Sequence, residues 1–406
     1  MARLDQKGIG DKKMCVLINS MTAGGAEKVV ATLYPEYQKA GANVSFMCLE
    51  KNDVHKIEGV APVYLSEQTG DIEGGLKKLL SLFRFAWQLR KYVKDNDIDL
   101  VQSHIYRANY VNILARLLGA RHKVQIVNHG MPSQYLTEGL AGKTNLWLIR
   151  RLYPKADQVI GPSQGMVDQF IELGVAKEKS QLIRNPFDLD ELNQQATCGM
   201  EEGEFHFDPA KKYLIAIGRL LPVKRMDDAI WAYYELHKDC PEVELIILGD
   251  GEKWDMLADL KLHLAISKKV HMPGDVENPH KYLVRSAALI SASEFEGFSN
   301  VIVEALVAGT PVISTDCESG PREILAPGTS RAQKIQPGCV EEVQHGLLIP
   351  VGDIKAMVKA MKQLLGDENL QQRLSEHGAA RVQEFAKEVI AQKYLEHSRA
   401  VLGTVQ

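Results

Sequence analysis

The chain has 406 residues, long enough for two large hydrophobic cores, so two domains are the first expectation. Hydrophobic residues make up 45% and charged residues 25%, the balance of a water-soluble globular protein. A net charge of −4 argues against a general polyanion binder and leaves nucleic acid an unexpected partner, while a local basic patch stays open.

The N-terminal segment MARLDQKGIGDKK is polar and lacks the apolar core of a secretory leader. No apolar run reaches membrane-span length, so a cytoplasmic protein is expected, with any membrane contact peripheral. The cysteines (Cys15, Cys48, Cys198, Cys240, Cys317, Cys339) are scattered without a C-x-x-C pair, which fits a reducing compartment and gives no metal cluster.

MCVLIN (14–19) reads as a buried strand, SMTAGGAEK as a turn into a helix ending near Gly41, and residues 43–49 as the next strand. This is the opening of a doubly wound sheet. Gly24 and Gly25 stand where the backbone enters the helix, either for close approach of a ligand or for a tight turn. They do not form the G-x-G-x-x-G dinucleotide fingerprint. Residues 76–94 read as a basic amphipathic helix. Leu79, Leu80, Phe83, Trp87 and Val93 are among its apolar positions, and Lys77, Lys78, Arg84, Arg90, Lys91 and Lys94 carry its charge. Such a helix either packs on a sheet with a solvated basic face or lies on an anionic membrane. IDLVQSH and HKVQIVNHG are strands that bring His104 and His129 to their C-terminal ends, where open parallel sheets collect ligands. His129, followed by glycine and the loop MPSQY, is the better placed to touch a ligand.

After a helix ending at DQFIELG, residues 184–212 show no sustained period and are rich in polar and turn residues, with the interdomain link near 185–190. Asp188 and Asp190 spell D-x-D but read as turn residues rather than metal ligands. A second alternating series follows: YLIAIG, a loop, a helix from Met226, VELIILGDG, KVHMPGDV and ALISAS. Arg219 and Lys224 flank the first turn, either as a diphosphate clamp or as solvated loop charges. In SEFEGFSNVIVEALVAGTPVIST, Glu296 is expected in a loop at a strand end, and Ser299 or Asn300 is expected to cap a helix. Glu304 should sit about one turn inside that helix, with Gly309 and Pro311 ending it. Such a helix N-terminus suits a phosphate, and a carboxylate just inside it suits neutral hydroxyls, although two glutamates near a helix start also occur without a ligand. Residues 326–345 read as an irregular insertion before a final helical region.

GRLLPVKRMDDAI, the E-x7-E string EGFSNVIVE, GTPVIST and the early GGAEKVV together resemble family 4 of the retaining glycosyltransferases, over most of the chain and in the expected order. Within that family it resembles the bacterial lipopolysaccharide and lipid-linked glycan glycosyltransferases. The resemblance implies a GT-B fold, two Rossmann-like doubly wound α/β domains facing across a cleft. Residues 1–187 would bind the acceptor, 188–385 the nucleotide sugar, and 386–406 would return as a helix to the first domain. It further implies that Glu304 binds the ribose, that Arg219 and Lys224 hold the diphosphate, and that Gly24 and Gly25 approach it. Glu296 with Gly297, Phe298, Ser299 and Asn300 would contact sugar and phosphate, and His129 the donor sugar. Gly249, Gly274 and Val276 would lie on loops near the base. Charge on the departing diphosphate would be stabilised by these cations and the helix N-terminus, so no metal or other cofactor is expected. The function expected is retaining transfer of a hexose or N-acetylhexosamine from a nucleotide sugar, a UDP-sugar first, to a lipid-linked or lipopolysaccharide-type acceptor at the cytoplasmic membrane face. The alternatives are a soluble transferase making a disaccharide, glucan or small glycoside, a nucleotide-sugar epimerase, and a non-catalytic sugar-nucleotide-binding protein.

Overall fold

The computed structural model describes residues 8–22, 24–52, 57, 59–67, 75–137 and 139–404; the first seven residues of the polar N-terminal segment lie outside these. The chain divides into two compact units, Met1–Phe187 with Phe385–Gln406, and Asp188–Glu384.

The first unit runs β1 Lys13–Ile18, α1 Gly25–Lys39, β2 Asn43–Cys48, β3 Val63–Tyr64, α2 Gly75–Asn96, β4 Leu100–His104, α3 Tyr106–Leu117, β5 Lys123–Val127, α4 Gly139–Leu152, β6 Gln158–Gly161, α5 Gln164–Glu172 and β7 Ser180–Leu182. Its strands are ordered β3-β2-β1-β4-β5-β6-β7, and every pairing is parallel. The order reverses between β1 and β4, so helices cover both faces and the strands are buried on both sides. Leu82, Phe85, Ala86 and Leu89 of α2 share one core with Val111 of α3 and Phe170 of α5.

Among the apolar residues of α2, this packing selects one stripe and rejects another. Leu82, Phe85, Leu89 and Val93 are buried, whereas Leu80, Phe83 and Trp87 are 61%, 49% and 57% exposed. The sequence reading grouped Leu80, Phe83 and Trp87 with Val93; the helix carries two apolar stripes, and the sheet receives the one centred on Phe85. The side chains of Leu76, Lys77, Lys78 and Leu79 lie outside those described.

The second unit runs α6 Leu189–Thr197, β8 Lys212–Ile217, α7 Met226–Leu236, β9 Val243–Leu248, α8 Trp254–His263, β10 Val270–Gly274, α9 His280–Leu283, β11 Ala288–Ser291, α10 Asn300–Val307, β12 Val312–Thr315, α11 Pro321–Leu325, β13 Glu341–Val343, β14 Gly346–Ile349, α12 Ile354–Leu365 and α13 Glu368–Arg381. Its order is β10-β9-β8-β11-β12-β14-β13, parallel except for the β13–β14 pair. Asp188 does not lie in a turn: its side chain caps α6, accepting from the Glu191 N–H at 3.1 Å, and Asp190 sits in the helix's first turn. The stretch read as irregular therefore contains a helix, and residues 326–345 contribute the edge strand β13.

The last helix, α14 Lys387–Leu402, belongs to the first unit. Its Ile390, Tyr394 and Leu395 pack with Val30, Leu33 and Tyr37 of α1 on the sheet's second face. The chain leaves and re-enters this unit at one point: the Phe187 N–H donates to Phe385 O at 2.8 Å and the Lys387 N–H to Phe187 O at 2.9 Å.

Candidate functional site

In the second unit, β8 and β11 are neighbours, so the loops after them meet at the C-terminal edge of the sheet. Lys224 closes a single 3-10 turn, Pro222–Lys224, in the first loop. Glu296 lies in the second. Its Oε1 accepts from Lys224 Nζ at 2.7 Å and from Ser293 Oγ at 2.7 Å. Glu296 as a whole is only 7% exposed. Burying it requires both partners, because an uncompensated carboxylate in this position would carry a large desolvation cost. The sequence reading gave lysine and glutamate separate ligand contacts; the fold joins them to each other.

Ser299 precedes α10 as its N-cap residue, in a left-handed conformation (φ 74°) and with no cap bond from its side chain. The sequence offers Ser299 or Asn300 as the side chain that closes this helix end. Instead Ser299 Oγ is buried without a hydrogen-bond partner, and the residue is 5% exposed. An unpaired buried hydroxyl and a non-glycine residue at positive φ both cost free energy, and such features gather at ligand sites. Phe298 is buried beside it, while Gly297, Asn300 and Glu304 remain partly exposed, with Glu304 in α10 and Asn300 opening it.

Arg219 is exposed one residue beyond Gly218 at the end of β8. Gly249 follows β9 with φ 127°, and a Cβ there would lie 2.1 Å from Gly218 O. Its N–H donates to Gly274 O at 2.8 Å. The three strand ends are thus drawn together by backbone contacts, and the packing alone demands glycine at 249. Val276 lies half-buried in the loop after β10.

In the first unit, Gly24 is the N-cap residue of α1 and Gly25 its first residue. A Cβ on Gly24 would lie 2.3 Å from Glu27 Oε2, and the buried Glu27 accepts from Thr22 Oγ1 at 2.7 Å. His129 lies just past β5. Its Nε2 is 3.1 Å from His104 Nδ1, and the two rings stack with centroids 5.4 Å apart. Burial pushes His129 down to about 4 and, with the neighbouring His129, holds His104 well below the usual histidine range. Both imidazoles are therefore neutral near pH 7. His129 Nδ1 is buried without a hydrogen-bond partner. Directly after His104, Ile105 is held at φ 70°, a conformation a β-branched residue rarely adopts. Nearby in sequence, Arg107 pairs with Glu50 at 2.6 Å.

Three of these residues carried little signal in the sequence. The sequence places His104 at a strand end but carries no sign that it partners His129. Glu50 and Arg107 come together only through the β2–β1–β4 order. Gln102 shares a sheet face with His104 two residues on, and that polar pair inside a buried strand was the available clue.

Among the described residues, no three His, Cys, Asp or Glu side chains gather as a metal site, and no helix is long and apolar enough to cross a membrane. Comparison with known proteins gives consistent matches. Residues 23–191 match the model of Glycosyltransferase Family 4, and residues 201–381 that of Glycosyl transferases group 1. The chain is 29% identical over 392 residues to the N-acetylgalactosamine-N,N'-diacetylbacillosaminyl-diphospho-undecaprenol 4-alpha-N-acetylgalactosaminyltransferase of Campylobacter jejuni, spanning 95% of this chain and 99% of that one. Among solved structures, it resembles Anabaena Alr3699/HepE in complex with UDP, with TM-score 0.72, 20% identity, and coverage of 96% of this chain and 100% of that one. It also resembles sucrose-phosphate synthase from Thermosynechococcus elongatus, with TM-score 0.76, 18% identity, and coverage of 97% and 100%. These structural likenesses establish the fold as GT-B-like.

Proposed function

This chain belongs to the retaining glycosyltransferases of family 4, and from that premise we propose that it moves an N-acetylhexosamine or hexose from a UDP-sugar to a lipid-linked glycan. The name of the Campylobacter relative, a transferase of N-acetylgalactosamine to a diphospho-undecaprenol-linked sugar, supports the acceptor class, and the UDP in the Anabaena structure supports the nucleotide. The observation that carries the reading is the cluster at the C-terminal edge of the second sheet, where Lys224, Glu296 and the orphan Ser299 hydroxyl surround the start of α10.

In this reading Glu304 binds the ribose hydroxyls, and Arg219 and Lys224 hold the diphosphate. The backbone of Gly297, Phe298, Ser299 and Asn300 contacts phosphate and sugar, with Glu296 positioning Lys224 and the sugar. Gly274 and Val276 border the base, Gly25 approaches the diphosphate, and His129 contacts the sugar. As the donor bond breaks, negative charge grows on the diphosphate, and the cations with the α10 N-terminus stabilise it. The test is turnover of UDP- and GDP-sugars by purified protein with a polyprenyl-diphosphate glycan. Turnover of no donor, together with unchanged UDP affinity in Glu304→Ala, would overturn the site assignment. Conversion of a donor without acceptor would indicate an epimerase.

The exposed stripe of α2 favours a second element, contact with an anionic membrane from the cytoplasmic side. Leu80, Phe83 and Trp87 face solvent beside the exposed Arg84, Arg90 and Lys91. Apolar side chains flanked by cations suit the boundary between headgroups and acyl chains. Sedimentation with phosphatidylglycerol vesicles tests this, and a protein that stays in the supernatant would favour a transferase with a soluble acceptor.

A further inference from the structure

The first unit holds a line of buried amides that ends at His129. Gln102, Gln125 and Gln158 occupy register-matched positions on β4, β5 and β6. Gln102 Nε2 donates to Gln125 Oε1 at 2.6 Å, and Gln125 Nε2 to Gln158 Oε1 at 2.7 Å. Gln158 Nε2 then reaches His397 Nδ1 on α14 at 3.1 Å. Ser398 Oγ, also on α14, donates to Gln125 Oε1 at 3.3 Å. Every amide nitrogen in the line points towards α14, so every amide oxygen points back towards β4.

That polarity has a consequence at the β4 end. Gln102 Oε1 already accepts from Tyr37 OH at 3.1 Å, and it lies 3.2 Å from His104 Nε2. A carbonyl oxygen only accepts, so His104 Nε2 must carry a proton. A neutral imidazole has one N–H, which leaves a lone pair on His104 Nδ1. That lone pair faces His129 Nε2 at 3.1 Å, so His129 Nε2 carries the proton in turn. His129 Nδ1 is left with a lone pair, buried and unpartnered.

We propose that the glutamine line and His104 lock His129 in its Nε2–H tautomer, so that His129 Nδ1 accepts a hydrogen bond from a hydroxyl of the bound sugar. His104 is then a positioning residue, acting on substrate only through His129. The identity of the ligand rests on the transferase reading; the tautomer does not. The specificity that follows is chemical: the sugar must offer a donor at this point, and a deoxy or fluoro analogue there leaves the buried lone pair unsatisfied.

Long-range proton–nitrogen NMR on ligand-free protein with 15N-labelled histidine rings reads the tautomer directly, the His129 signals being identified by their loss in His129→Asn. The expected pattern is a pyridine-type Nδ1 and a pyrrole-type Nε2. A pyrrole-type Nδ1 on His129 overturns the proposal, whatever the enzyme's activity. In turnover assays, His104→Leu removes the acceptor that holds the His129 proton and lowers kcat/KM about tenfold, the worth of one hydrogen bond. His104→Asn, whose amide oxygen can take the place of Nδ1, keeps most of it. Equal losses in the two variants would mean that His104 only fills space, which also overturns the proposal. If no donor is turned over at all, the transferase reading fails while the NMR result still decides the tautomer.

Discussion

Lys224 Nζ and Glu296 Oε1 lie 2.7 Å apart although the residues are 72 positions apart in sequence, because β8 and β11 run side by side. A single contact thus ties the cation proposed to hold the diphosphate to the carboxylate proposed to contact the sugar. Anything that draws charge to one is felt by the other.

Separating this pair should destabilise the second unit. Lys224→Met leaves Glu296 buried without its counter-ion, with an expected loss of about 2–3 kcal/mol. Adding Glu296→Gln should restore at least half of that, although transfer stays impaired. Urea unfolding midpoints of the two single variants and the double variant measure the coupling.

Ser299→Ala separates stability from function in the opposite direction. The hydroxyl it removes is buried and unpaired, so stability should be unchanged or rise by up to about 1 kcal/mol. If that oxygen serves the donor, kcat/KM should fall about tenfold at the same time. A thermal melt and a donor titration on the same sample check both halves.

At Gly249 the expected effect is on folding. A Cβ would lie 2.1 Å from Gly218 O, at a φ of 127° that alanine rarely adopts. Gly249→Ala should cost at least about 2 kcal/mol, read as a lower unfolding midpoint. A variant as stable as the parent would show that the three strand ends are more loosely joined than their backbone contacts imply.

Acid should unfold the first unit earlier than carboxylate titration alone. Burial pushes His129 and His122 each down to about 4 from an ordinary value of 6.5. The unfolded chain therefore binds more protons between these values. The stability owed to the neutral rings is present above pH 6.5 and is lost as pH falls towards 4. Unfolding midpoints followed across this window should decline, and the decline should flatten in His122→Asn. His104, held low by the same burial, adds to the slope.

On α2, Phe83→Glu with Trp87→Glu should abolish vesicle binding while leaving the melting temperature within about a degree, because neither side chain enters the core. The same exchange at Phe85 and Leu89 should unfold the unit, which calorimetry would show directly.

The sequence by itself determined the two alternating series, the strands that bring His129 and Glu296 to sheet ends, and the helix that carries Glu304. It did so because apolar periodicity and turn chemistry act over a few residues, and because EGFSNVIVE is one unbroken string. Tertiary structure alone decided which stripe of α2 faces inward, that Lys224 meets Glu296, that Ser299 caps without its hydroxyl, and that His104 stacks on His129. Residues 189–197, read from the sequence as part of a stretch with no sustained period, form a helix that Asp188 caps and that buries Leu192 and Ala196, packed beside α9 and α10. These outcomes depend on strand order and register, which join residues far apart in the chain. The glutamines that set the polarity of His129 lie on three different strands, and only their hydrogen-bonded alignment makes them a line.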